Sequence, residues 1–279
     1  MKKSVKTILI TGTSTGIGRE IALKLAKEGH KVFAGVRRKI DKNELESLNP
    51  NIKGVYLDIT NPSSIDKAFW FVIKNTEKID VLINNAGIAV AGPVEILPVK
   101  KIKEQFDVNV FGALNVTQKF FPLLKNGLII NMSSLAATGL FPYIAPYCAS
   151  KRALDILFNN LMLENKDNIK VVSVKPAVIK TPIWDKSIKK ARENFDLASD
   201  ISKKKYEKEL SYMITHSEKN NHRGLDPYFV VNTVEKIINS KNPKPSYNVG
   251  FASSCADFVS KLPQTIINLI VNLKLKKIK

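Results

Sequence analysis

Tyr147 and Lys151 stand four residues apart in the run Tyr147-Cys-Ala-Ser-Lys151. On a helix that spacing sends a phenol and an ammonium out of one face, one turn apart. A free tyrosine has a pKa of about 10 and accepts protons poorly near neutrality. A fixed ammonium beside it favours the phenolate and is expected to lower that pKa, which would turn the phenol into an acid–base catalyst. The same pair also occurs by chance on solvated helices, so its meaning depends on what accompanies it. Upstream the chain reads Thr11-Gly-Thr-Ser-Thr-Gly16-Ile-Gly18. The run before it reads as a buried strand, and Ile17, Ile21, Ala22 and Leu25 recur at helical spacing after it. A glycine-rich turn in that place offers bare backbone N–H groups and the positive end of a helix dipole to a pyrophosphate. Gly12 would make the tight turn, Gly16 would admit the phosphates, and Gly18 would let the helix approach the sheet. Ser14, Thr15 and Ile17 complete this loop as candidate cofactor contacts. An ordinary glycine-rich connection is the plainer alternative.

The glycine spacing resembles T-G-x-x-x-G-x-G of the short-chain dehydrogenase/reductase family, rather than the usual G-x-G-x-x-G. Asn84-Asn-Ala-Gly87 is similar to the family's N-N-A-G, and Asn109 sits where the family has its helix asparagine. Ser134 precedes Tyr147 by the family's serine-to-tyrosine interval. The resemblance runs from about residue 7 to residue 182, with the motifs in order. It implies a catalytic set of Asn109, Ser134, Tyr147 and Lys151, and cofactor contacts at Asn84, Ala86, Gly87, Pro176, Val178 and Thr181. By the same resemblance Lys151 holds the nicotinamide ribose and Asn109 positions a water. Ser133 is the rival to Ser134, and alternation along a strand would point the two to opposite faces.

The elements that must position these groups alternate. Strand patterns fall at 7–11, 31–36, 52–56, 80–84, 128–133, 170–175 and 247–249, and helical patterns at 17–28, 42–48, 63–76, 100–124, 147–164 and 227–239. This rhythm predicts a single α/β Rossmann-type domain over 1–279, doubly wound. Its seven-stranded sheet is expected to be mostly parallel, with ligand at the carboxyl ends of the strands. The lysine-rich stretch at about 182–223 breaks the rhythm and reads as a helical insertion near the active site.

The end of the second strand bears on the cofactor. An acid there would bind the ribose hydroxyls and repel a 2′-phosphate. The chain reads Gly35-Val36-Arg37-Arg38, with no acid. Arg37, with Arg38 beside it, is a candidate partner for that phosphate, so NADP is expected, with NAD compatible. Two solvated arginines opening a loop are the alternative. Asp58, followed by Ile59, resembles the family's adenine-contacting acid. The family's P-G-x-x-x-T is here Pro176-Ala177-Val178-Ile179-Lys180-Thr181, and alanine at 177 would resist positive φ.

Val90, Ala91, Val94, Leu135, Phe141, Tyr143, Ile144, Ile183 and Trp184 are candidate apolar substrate walls or, equally, core packing. As walls they suit a hydrophobic alcohol, ketone or aldehyde. Segments 86–93 and 181–186 look like the retinol- and hydroxysteroid-dehydrogenase-like branch. The expected activity is therefore an NADP-dependent oxidoreductase on a lipid-like substrate. A fold-sharing interaction protein without turnover is the alternative, and an epimerase or dehydratase a lesser one.

Other classes fit less well. A net charge of +19 suggests nucleic acid, yet only six arginines stand among the 44 basic residues, and the lysines scatter over expected surface helices. No uninterrupted apolar run reaches bilayer length, and no long apolar segment follows the basic start. Two cysteines and three histidines form no ligand spacing, so no metal is expected, and a reducing cytoplasm is. The tail at about 262–279 is apolar with a basic end. It is expected to dock as a terminal helix, with peripheral contact to anionic lipid as the other reading. By resemblance the chain is expected to be a homo-oligomer.

Overall fold

Strand β1 (Thr7–Ile10) sends Ile8 and Ile10 to one face of the sheet and Leu9 to the other, and all three are fully buried. A strand buried on both faces needs helices above and below, and that is what the computed structural model shows. It describes residues 4–276, less the side chains at 216, 220–222 and 274. On the Ile8 face pack α1 (Gly16–Lys27), through Ile21 and Leu25, and α9 (Tyr228–Asn239), through Val230, Val234 and Ile237. On the Leu9 face pack α3 (Pro62–Ile73), α5 (Ala113–Phe120) and α6 (Ala145–Glu164), through Val72, Phe120 and Phe158. Helix α2 (Lys39–Leu48) adds Leu45 to the first face.

The other strands are β2 (Lys31–Val36), β3 (Ile52–Tyr56), β4 (Val81–Asn84), β5 (Leu128–Met132), β6 (Lys170–Pro176) and β7 (Ser246–Val249). They form one sheet in the order β3-β2-β1-β4-β5-β6-β7, with every pairing parallel. The strand order reverses between β1 and β4, and at such a switch point the chain leaves a crevice beyond the carboxyl ends. Asn61 caps α3, accepting from the Ser64 backbone N–H at 3.2 Å, and Pro62 opens that helix.

The single helix expected over 100–124 is broken. Helix α4 (Val99–Phe106) passes into a π-helical turn at Asp107–Gly112, then into α5, then a 3₁₀ turn at Phe121–Leu123. A π turn widens the helix by one residue and re-aims its side chains. The insertion is two helices, α7 (Ile183–Asp196) and α8 (Asp200–Arg223). The C-terminal region is a further pair, α10 (Phe251–Val259) and α11 (Gln264–Leu275); residues 277–279 of the basic end lie outside the described residues. No helix among the described residues is long and apolar enough to cross a membrane.

Candidate active site

The glycine-rich loop joins β1 to α1 at the switch point. Gly12 has φ +71°, and a Cβ there would stand 2.8 Å from the Ala86 Cα. A Cβ on Gly18 would strike the Asn85 amide and the Gly12 carbonyl. The loop is thus a backbone cradle that side chains would fill, which fits a pyrophosphate. Asn85 ties the second turn to the first: its Nδ2 donates to the carbonyls of Thr11 and Gly12, each at 2.9 Å. Gly12, Ser14, Thr15, Gly16, Ile17, Arg37, Asp58, Ile59, Ala86 and Gly87 all border one cavity, with Pro176, Val178 and Thr181 beyond them.

Three candidates lie elsewhere. Gly18 is buried behind the loop, against the Asn85 amide and the Gly12 carbonyl, and does not border the cavity. Asn84 is buried behind the crevice, because its register partner across the sheet is Asn131. Its Nδ2 donates to Asn131 Oδ1 at 2.9 Å and Thr117 Oγ1 at 3.1 Å. The next residue, Asn85, faces the cavity in its place. Arg38 folds back on α2, donating from Nε and Nη2 to Asp41 at 2.8 and 2.5 Å. That hydrogen bond chiefly holds the Asp41 carboxyl below its usual range, with help from the Ser14 hydroxyl. Arg37 stays on the cavity rim. Ala177 is not among the non-glycine residues with positive φ, which are Asn126, Tyr143 and Asn168, so the missing family glycine causes no strain at that position.

The four candidate catalytic groups come from three elements. Asn109, in the π turn, donates from Nδ2 to the Ile88 carbonyl at 2.9 Å and to Ser150 Oγ at 3.0 Å, and its Oδ1 accepts from the Ile88 N–H at 2.9 Å. It is a buried cross-link between the loop after β4 and α6. Ser134 follows β5; its Oγ accepts from the Ala136 N–H at 3.1 Å and is hydrogen-bonded to Tyr147. Ser133 also borders the cavity, with a buried Oγ that has no partner. Lys151 Nζ lies 5.8 Å from the Tyr147 ring centre and donates to the Met132 carbonyl at 2.7 Å. Near it, Ser173 Oγ and Lys175 hold the buried carboxylate of Asp155 at 2.8 and 3.6 Å.

The titration of this pair reverses the sequence-based expectation. Burial pushes Tyr147 up to about 12, with the Ser134 hydrogen bond acting against it. Burial also pulls Lys151 down to about 8, opposed by Asp155. The ammonium, spent on a backbone carbonyl, does not offset desolvation of the phenol. Near neutrality the phenol is therefore protonated.

Beyond Tyr147 the cavity widens to about 1050 Å³ in total. Ala91, Leu135, Phe141, Tyr143, Ile144, Ile183 and Trp184 line it as expected. Val90 is buried in the core beside Gln105, and Val94 is exposed outside the chamber. The walls that sequence reasoning missed come from α8, α10 and α11, including Met213, Val259 and Ile270. Helix α8 is latched to the loop after β4: Lys205 Nζ and the Tyr206 hydroxyl donate to Glu95 at 2.8 and 2.6 Å. No group of three or more His, Cys, Asp or Glu side chains suited to a metal occurs among the described residues.

A parallel sheet with a glycine cradle at its switch point and a serine–tyrosine–lysine set beside it defines a dinucleotide-dependent oxidoreductase. The family model described as short chain dehydrogenase matches residues 6–192, and the chain belongs to that family. It is 35% identical over 190 residues to an NADPH-dependent 3-dehydrocapnine reductase of Ornithobacterium rhinotracheale, covering 64% of this chain and 67% of that one. It is 34% identical over 187 residues to an NADPH-dependent pterin aldehyde reductase of Arabidopsis thaliana, covering 64% and 77%. Among solved structures, a short-chain dehydrogenase from Streptomyces avermitilis superposes with a TM-score of 0.76 at 22% identity, over 99% of this chain and 97% of that one, and shares the fold.

Proposed function

We propose that this protein is an NADPH-dependent carbonyl reductase acting on hydrophobic, lipid-like ketones or aldehydes, with retinoid- and steroid-like compounds within that class. The observation that carries the reading is the Tyr147 phenol. Burial keeps it protonated and Ser134 is hydrogen-bonded to it, where the glycine cradle meets an apolar chamber. Two relatives carry NADPH in their names, and Arg37 on the rim supports the same cofactor here, with NADH as a weaker co-substrate.

The reduced nicotinamide would supply the hydride that reaches the carbonyl carbon. The substrate oxygen would sit between the Ser134 and Tyr147 hydroxyls, and Ser134 would steady the negative charge growing on it. Tyr147 would give that oxygen its proton and be left a phenolate. Lys151, within reach of the ring's edge and titrating near 8, would stabilise the phenolate and return a proton from solvent. Asn109 would hold the Ile88 carbonyl and the base of α6 in place. Apolar walls would exclude water and bind the body of the substrate.

Exposed Phe111, Ile156, Leu157 and Leu163, on the π turn and α6, support association with a second copy. The outward Phe258, Leu269 and Leu273, with Lys261 nearby, support peripheral contact between α10–α11 and anionic lipid on the cytoplasmic side. The test of the activity is Tyr147→Phe. NADPH oxidation with hydrophobic ketones should fall by about 100-fold or more while nucleotide binding persists. Unchanged turnover would remove Tyr147 from the reaction.

A further inference from the structure

Helix α11 presents Ile267, Ile270, Val271 and Leu275 to the cavity, at the i, i+3, i+4, i+8 spacing of one helix face. Ile267 is buried there, whereas Leu269 and Leu273 on the other side are more than half exposed. Helices α8 and α10 complete this end with Met213 and Val259. Among the described residues, the charged ones that border the cavity are Arg37, Asp58, Lys151 and Lys186, and none of these lies on α8, α10 or α11. The dinucleotide end is therefore polar, and the far end, among the described side chains, is mostly apolar, with Tyr212, Ser217 and Ser260 as its polar lining. A far end of this kind offers little to an ionised substrate tail and much to a hydrocarbon.

We propose that α11, with α8 and α10, forms a hydrocarbon-binding arm of the chamber, and that the substrate is a carbonyl compound whose carbonyl lies near one end of a long unbranched alkyl chain. This rests on the carbonyl-reductase reading and narrows its substrate. From Ile267 to Leu275 the wall runs about 12 Å at 1.5 Å per residue. That length accommodates an extended chain of roughly nine or ten carbons, given C–C bonds of about 1.5 Å. Ring systems would fill the region beside Tyr147, but would leave the face of α11 uncovered.

The experiment is a series of straight-chain methyl ketones, from about four to about fourteen carbons, reduced by the full-length protein with NADPH. Each added methylene should raise kcat/KM about threefold to fourfold, the equivalent of about 0.8 kcal/mol per buried CH₂, up to a plateau when the arm is full. Ile270→Trp should move the plateau to shorter chains. Ile270→Ala should keep the early rise and flatten its last steps, which covers the case in which the larger side chain is not accommodated. Leu269→Trp, on the outer side of the same helix, should change nothing. A flat response to chain length, or a plateau that neither Ile270 variant moves, would overturn the arm while leaving carbonyl reduction standing. Failure to oxidise NADPH with any ketone or aldehyde would overturn the reductase reading and the arm with it.

Discussion

Removing the Arg37 guanidinium should cost the enzyme its preference between the two nicotinamide cofactors. Arg37 and Arg38 are neighbours in sequence and both are exposed, yet the structure gives them different work. Arg38 is committed twice over to Asp41, a buried carboxylate that needs the cation. Arg37 borders the cavity, and no hydrogen bond or ion pair to another described residue claims it. A charge-assisted hydrogen bond contributes about 1.5–3 kcal/mol, or roughly 10- to 150-fold in binding. Exposure and salt screening put Arg37 toward the lower end of that range. Arg37→Ala should therefore raise the KM for NADPH about 10- to 30-fold and leave that for NADH within about twofold. The assay is initial rate against each cofactor with one saturating ketone, at low and at high salt. The NADPH advantage should also shrink with salt in the wild type and lose that dependence in the variant. Arg38→Ala should shift both cofactors together through the loss of α2's first turn. If the NADPH-to-NADH ratio is unmoved by Arg37→Ala, or is moved more by Arg38→Ala, the assignment of the phosphate partner is wrong.

Val36→Asp should swing the preference toward NADH, because a carboxylate at the end of β2 repels a 2′-phosphate and can bind free ribose hydroxyls; competitive binding of the two nucleotides would check it. Reduction should hold steady below about pH 8 and decline above it, since Lys151 loses its proton there while Tyr147, near 12, keeps its own. Lys151→Arg, charged throughout, should lower the rate and abolish that inflection in the pH–rate profile. Asn109→Ala leaves the Ile88 N–H and carbonyl and the Ser150 hydroxyl short of partners in a buried place. It should cost about 2–3 kcal/mol and lower Tm by roughly 3–5 °C in a thermal melt. Ala177→Gly should change the KM for NADPH by less than about twofold, because Ala177 already takes an ordinary backbone conformation.

What the sequence made legible was local or strictly periodic. The strand at 7–10, the glycine turn and the helix of Ile21 and Leu25 could be read because the apolar spacing and the glycines act within a dozen residues. The tetrad came from resemblance, and the fold then supplied the reason that Asn109 is placed as it is: the π turn, which has no signature in residue types. The exchange of Asn84 for Asn85 turns on where β4 stops. One more residue in strand register would have faced the other amide to the crevice. Helices α10 and α11 were the least visible part. Their apolar residues occur on two sides of each helix, so no single stripe marks the buried face. Gly250, at φ +89°, turns the chain abruptly from β7 into α10.

In the proposed reaction, the direction of proton transfer follows from an asymmetry that residue spacing alone does not reveal. Phenol and ammonium stand on one helix face, but both are withdrawn from water, and burial penalises the charged form of each. It therefore pushes the tyrosine toward the neutral acid, up to about 12, and the lysine toward the neutral amine, down to about 8, so two pKa values that ordinarily lie close together move apart. A site arranged in this way holds its proton until a stronger base arrives, and an oxygen taking up negative charge beside Ser134 is such a base. The phenolate then formed would add a second anion near Lys151, beside the Asp155 carboxylate that already favours the ammonium. Oxidation of an alcohol would have to begin from the phenolate, a state the resting site disfavours at neutral pH. In the proposed reaction, the walls that suit a hydrocarbon would also keep Tyr147 in the protonated form from which reduction starts.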